Sequence, residues 1–76
     1  MDVLLYTWPK CGFCQRAKDL LDAADVEWRE HSLAGDRAFS QRLARRFGRA
    51  TMPYVLLDGE PLGGLDELSA WLQARI

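Results

Sequence analysis

The chain holds only two cysteines, Cys11 and Cys14, and a single histidine, His31. A structural zinc site wants four ligands, so three such side chains do not complete one within a single chain. No apolar run approaches the roughly 18 residues that a membrane helix requires. The opening MDVLLYTWPK lacks a basic segment followed by a long apolar stretch, which argues against a secretory signal. Charge of one sign is missing too. Ten Lys and Arg stand against eleven Asp and Glu, a net charge of −1, so no overall field draws the chain to nucleic acid or a membrane. There is no GxGxxG or other nucleotide fingerprint, so neither NADPH nor flavin is expected to bind. Internal repeats, linkers and low-complexity segments are also lacking. The expectation is a complete, soluble chain working in the cytoplasm.

What is present suits one domain spanning residues 1–76. The composition is 49% hydrophobic and 28% charged. A chain this short buries roughly 60% of its unfolded surface, enough for a small core. Asp2 to Thr7, with its VLLY run, reads as a buried strand. From about Phe13 to Ala24, Ala17, Leu20, Leu21 and Ala24 have helical spacing, with Gln15, Arg16, Lys18, Asp19 and Asp22 facing out. Val26 to His31 alternates, which predicts a second strand. Phe39, Leu43 and Phe47 predict a second helix starting near Asp36 and ending at Gly48. Tyr54 to Leu57 and Glu60 to Leu62 form a hairpin about Asp58-Gly59, with Pro61 suited to an edge. After the Gly63-Gly64 turn, Asp66 can cap a last helix that points Leu68, Trp71, Leu72 and Ile76 inward. The order β-α-β-α-β-β-α makes a small mixed α/β sheet of four strands flanked by three helices, its first two strands parallel.

The cysteine spacing narrows the chemistry. A bridge between Cys11 and Cys14 closes a loop of about four residues and constrains the unfolded chain little. In a reducing compartment such a pair is more plausibly catalytic or metal-binding than a staple. Cys11 falls just after the first strand, at the start of a helix. Unpaired N–H groups and the positive helix end favour a thiolate there, and Lys10 adds a cation. Cys11 is therefore the candidate nucleophile. Cys14, one turn inward, is the candidate resolving thiol.

With those residues placed, the chain resembles the glutaredoxins, within the thioredoxin-like fold. The resemblance runs from Val3 to about Leu72. It begins with LLYT and a Cys-x-x-Cys opening a helix, here CGFC. It continues with GRATMP before the third strand and DGEPLGGLDEL before the last helix. It implies that Pro53 is a cis-proline beside the cysteines. It implies that Met52 pairs its backbone with the cysteine of glutathione, flanked by Thr51 and Phe13. Gly64, Leu65 and Asp66 would receive the γ-glutamyl end, with Asp66 meeting the ammonium group. Free N–H groups at a helix start suit that carboxylate.

The chain also departs from the family. Where a glutathione-binding lysine often follows the first strand's tyrosine, Trp8 stands, and the cation is Lys10. Arg37 and Arg49 are further candidates for the glycyl carboxylate. Arg42, Arg45, Arg46 and Arg49 read as a solvated basic face, the alternative being a patch for an acidic partner. Trp28 and Trp71 read as core, and Trp8 as exposed beside Cys11.

The resemblance implies a monomeric enzyme with glutathione as co-substrate. It would reduce protein disulfides and protein–glutathione mixed disulfides, with glutathione reductase recycling glutathione indirectly. Two alternatives stay open. In one, Gly12 permits a [2Fe-2S] cluster bridged between two subunits, with Cys11 and glutathione thiols as ligands. In the other, the redox pair draws its electrons from thioredoxin reductase.

Overall fold

The computed structural model describes residues 1–49 and 52–75. Its elements follow the order expected: β1 (Val3–Thr7), α1 (Gly12–Ala23), β2 (Arg29–Ser32), α2 (Arg37–Phe47), β3 (Tyr54–Leu57), β4 (Glu60–Gly63) and α3 (Leu65–Ala74). They make one four-stranded sheet in the order β2-β1-β3-β4. β1 runs parallel to β2 and antiparallel to β3, and β3 and β4 form the antiparallel hairpin. β4 lies at an edge, where Pro61 removes no needed ladder donor.

Alternation along the two central strands divides the core. On one face Val3, Leu5 and Val55 meet Ala17 and Leu21 of α1 and Leu68 of α3. On the other, Tyr54 joins Leu33, Leu43, Met52 and Cys14, with Tyr6, Phe39 and Phe47 packed around them. The Phe47 and Tyr54 rings lie 4.6 Å apart between centroids, and Tyr6 meets Phe39 edge-on at 5.3 Å. α2 thus covers its face through the Phe39, Leu43 and Phe47 stripe. Asp36 caps it by accepting from the Phe39 amide, and Gly48 ends it in the left-handed conformation at φ 68°. Trp28 and Trp71 pack half-buried against the first cluster, as Leu72 does. Ile76, expected to point inward, lies outside the described residues.

Three expectations need correction. The second strand begins at Arg29, not Val26, and every residue of it is exposed. β1 offers partners only from Leu4 to Thr7, matched to Arg29 through Ser32. The chain before Arg29 is engaged in closing α1: Asp25 turns at φ 57°, and the Val26 amide donates to the Leu21 carbonyl at 3.0 Å. Ala24 is exposed rather than inward, because the helix ends there as a cap. The last helix is capped at Gly64, not Asp66. Its first ladder bond runs from the Leu68 amide to the Gly64 carbonyl, and the Glu67 carboxylate accepts the Gly64 amide at 2.7 Å. Asp66 therefore sits inside the first turn, where a negative charge still favours the helix dipole.

Candidate redox site

Trp8 and Pro9 end β1, and Lys10 turns the chain at φ 56°. That turn delivers Cys11 as the N-cap of α1. Its sulfur accepts the Cys14 amide at 3.2 Å, and its carbonyl accepts the Gln15 amide at 3.0 Å. The first cysteine thus stands where an anion would be met by helix N–H groups. Cys11 is partly exposed, whereas Cys14 is 2% exposed and both thiols are free. Gly12, between them, has open space beside it: an added Cβ would meet nothing within 4 Å. Packing does not demand a glycine at this first helical position.

The depth of Cys14 also changes its acidity. Burial pushes the Cys14 thiol up from an ordinary 9.0 to about 12, and its hydrogen bond with Cys11 adds to the rise. A Trp8 backbone hydrogen bond and the Lys18 charge oppose it. A raised thiol pKa keeps the folded chain protonated where the unfolded chain has shed its proton. The sign follows. Below about pH 9 this group leaves stability unchanged, and between about 9 and 12 stability falls as pH rises. Urea midpoints of the reduced protein should decline across that window, and decline less in Cys14→Ser. An equal decline in the variant would assign it to other groups.

The other expected site residues fall into two sets. Met52 and Pro53 are buried, their peptide bond is cis as expected, and Met52 packs in the same cluster as Cys14, against which Cys11 also packs. Val55 pairs with Gly63, which brings Gly64 alongside the chain just after Pro53. Gly64 is buried, Leu65 half-buried and Asp66 exposed. Leu65 and Asp66 line a cavity of about 480 Å³ with Arg16 and Asp19, on the α1 side of the α3 start. Thr51 lies outside the described residues. Phe13 is 58% exposed and Trp8 43% exposed, so two aromatic side chains stand in solvent before and after Cys11 in the chain. Lys10 lines a cavity with both cysteines, and Arg37 lines another with Trp8 and Pro9.

Two sets of contacts near the site do not show in the sequence. Glu67 bridges the α3 start to the chain just after α2, because Arg49 donates to its carboxylate at 2.6 Å while Gly64 donates at 2.7 Å. The Gly64 amide, with Arg49 adding to it, holds the Glu67 carboxyl below the usual carboxylate range. The two glycines permit this close approach. A Cβ on Gly63, at φ 140°, would lie 2.6 Å from the Glu67 side chain, and one on Gly64 3.0 Å from the Arg49 guanidinium. A glutamate three residues after a cap is the pattern that could have revealed it. The second set joins Lys18, Glu30 and Thr7. Lys18, expected to face solvent, instead pairs with Glu30 at 2.7 Å, and the buried Thr7 hydroxyl donates to the same carboxylate oxygen at 2.6 Å. Among the basic residues of α2, Arg46 donates to the Gly59 carbonyl at 2.8 Å, which ties it to the hairpin turn.

Comparison with known proteins places this geometry. The family profile for glutaredoxin matches residues 3–62. The chain is 38% identical over 74 residues to glutaredoxin 3 of Escherichia coli K12, covering 97% of this chain and 88% of that protein. The solution structure of a glutaredoxin from Brucella melitensis superposes with a TM-score of 0.84 at 32% identity, covering 97% of this chain and 80% of that one. The crystal structure of a buckwheat glutaredoxin–glutathione complex shares the fold at a TM-score of 0.83 and 24% identity, covering 96% and 69%. No helix among the described residues is long and apolar enough to cross a membrane.

Proposed function

The chain belongs to the glutaredoxin family, and from that premise we propose that Cys11 attacks, that Cys14 resolves, and that glutathione returns the electrons. The enzyme is a dithiol glutaredoxin, a glutathione-disulfide oxidoreductase of thioredoxin-like fold. The observation that carries the assignment of roles is the asymmetry of the pair. Cys11 is reachable and receives a helix amide, while Cys14 is buried behind it and held protonated by that burial. A thiolate is the attacking species in disulfide exchange, so the accessible thiol at the helix start goes first. Attack on a client disulfide leaves a mixed disulfide on Cys11. Cys14 then displaces the client thiol and closes the Cys11–Cys14 bridge. Two glutathione molecules reduce that bridge and leave as glutathione disulfide.

Glutathione is proposed to lie extended along Met52 and Pro53, reading backbone rather than side chains. Its cysteine would meet Cys11, with Thr51 and Phe13 flanking. Its γ-glutamyl carboxylate would take the amides of the α3 start at Gly64, Leu65 and Asp66, and Asp66 would meet the ammonium group. Lys10 is the proposed cation toward the glycyl end. Support for this ligand comes from the buckwheat relative, solved as a complex with glutathione, and from the register that sets Gly64 beside the chain after Pro53. Client proteins carrying disulfides or glutathione adducts are the proposed partners, in a reducing cytoplasm.

The test is a turnover assay with a small mixed disulfide of glutathione, coupled to glutathione reductase and NADPH. Sustained turnover is expected. If thioredoxin reductase supports turnover and the glutathione system does not, glutathione is not the reductant and the proposed binding site fails with it.

A further inference from the structure

Cys14 presents a chemical problem. A resolving thiol must act as a thiolate, yet burial disfavours that charge. The cavity behind the pair holds a cation placed to offset this. It measures about 420 Å³ and is lined by Cys11, Cys14, Lys18, Glu30 and Thr7, among others. Lys18 lies one helical turn beyond Cys14 on α1, so the two side chains emerge on the same helix face. It is only 23% exposed, and its ammonium is held by the Glu30 carboxylate at 2.7 Å. Glu30 is steadied in turn by the Thr7 hydroxyl at 2.6 Å, and Thr7 is 1% exposed on the central strand. The Lys18 ammonium first, then the Thr7 hydroxyl, keep Glu30 below the usual carboxylate range, so the anchor stays charged at neutral pH. Three elements, β1, α1 and β2, therefore hold one cation beside the buried thiol.

We propose that Lys18, anchored by Glu30 and Thr7, is a positioning residue that speeds the resolving attack of Cys14 by favouring its thiolate. The titratable groups around Cys14 are Cys11 and Lys10 on the loop, Tyr6 on β1, Lys18 on α1, Glu30 on β2 and Tyr54 on β3. Of these, Lys18 is the cation that acts on the thiol directly through its charge. Tyr54 donates its hydroxyl to the Arg49 carbonyl at 2.6 Å and is turned to that partner. The inference rests on the proposed roles of the two cysteines.

The step to measure is the internal one. Glutathione disulfide first reacts with Cys11, leaving a Cys11–glutathione disulfide and one free glutathione. Cys14 loses its proton and attacks the Cys11 sulfur. The Cys11–glutathione bond breaks, the Cys11–Cys14 bond forms, and glutathione leaves as a thiolate that takes up a proton. Stopped-flow mixing at high glutathione disulfide isolates this unimolecular phase. Lys18→Met should slow it by about threefold to tenfold, the scale of an opposite charge acting near a thiol. Lys18→Arg should restore most of the rate. Added salt should slow the wild type more than Lys18→Met, because screening weakens only the retained charge. Alkylation of Cys11 by iodoacetamide, measured in a Cys14→Ser background, should be unchanged by Lys18→Met. An unchanged resolving rate overturns the proposal. So does an equal slowing of Cys11 alkylation, which would make Lys18 a residue of the fold or of the nucleophile. Failure of Cys14→Ser to form any glutathione adduct on Cys11 would instead overturn the cysteine roles themselves.

Discussion

Replacing Cys11 with serine should abolish every disulfide-exchange activity, by at least about a thousandfold, the scale of losing a sole nucleophile. The sulfur at this N-cap is the reachable one, and a hydroxyl cannot form the covalent mixed disulfide. The fold should survive the change. Serine is among the preferred caps, so its oxygen can accept the Cys14 amide as the sulfur does. Denaturation midpoints close to wild type, with turnover at background in the glutathione-coupled assay, are the expected pair of results. Residual turnover within tenfold of wild type would move the nucleophile to Cys14 and reverse the reading of the asymmetry.

Cys14→Ser should split the activities. Reduction of a small glutathione mixed disulfide needs one enzyme thiol, so its rate should stay within about threefold of wild type. Reduction of a protein disulfide by the dithiol route should fall by about a hundredfold. The intramolecular thiol acts at an effective concentration that free glutathione does not match, and its removal leaves only the bimolecular route. Insulin reduction and a glutathione mixed-disulfide assay on the same preparation measure the split. Loss of both activities in a folded variant would show that Cys14 shapes the nucleophile rather than resolving its adduct.

Much of this is legible in the sequence. The order of elements follows from apolar periodicity and from Gly, Pro and Asp punctuation, and β3 begins and ends where the YVLL run does. The cysteine pair, its place at a helix start and the different depths of its two thiols are local matters. A break after a strand, a capping sulfur and a 3.6-residue turn decide them. The expectations that failed were those in which backbone groups had a partner elsewhere. Val26 and Trp28 alternate like a strand, but the Val26 amide is committed to Leu21 and β1 has no further edge to offer. Asp66 has the chemistry of a cap, but the α3 ladder already starts at Gly64, whose carbonyl accepts the Leu68 amide.

The charged residues show the same division more sharply. Lys18 looks like any outward lysine on an amphipathic helix, because helix position alone does not reveal what stands opposite. Its partner, Glu30, lies twelve residues on, across a loop and on a different element. Arg49 and Glu67 are farther apart still, and meet only because the β3–β4 hairpin folds α3 back beside the loop before Met52. The fold family, the redox couple and the identity of the outermost thiol each rest on spacing within one or two turns of chain, so the residues alone specify them. Which charges face the buried thiol, and which carboxylate steadies the start of α3, is set by the packed fold. Those contacts depend on where separate elements come to rest against one sheet, and short-range pattern carries no record of that.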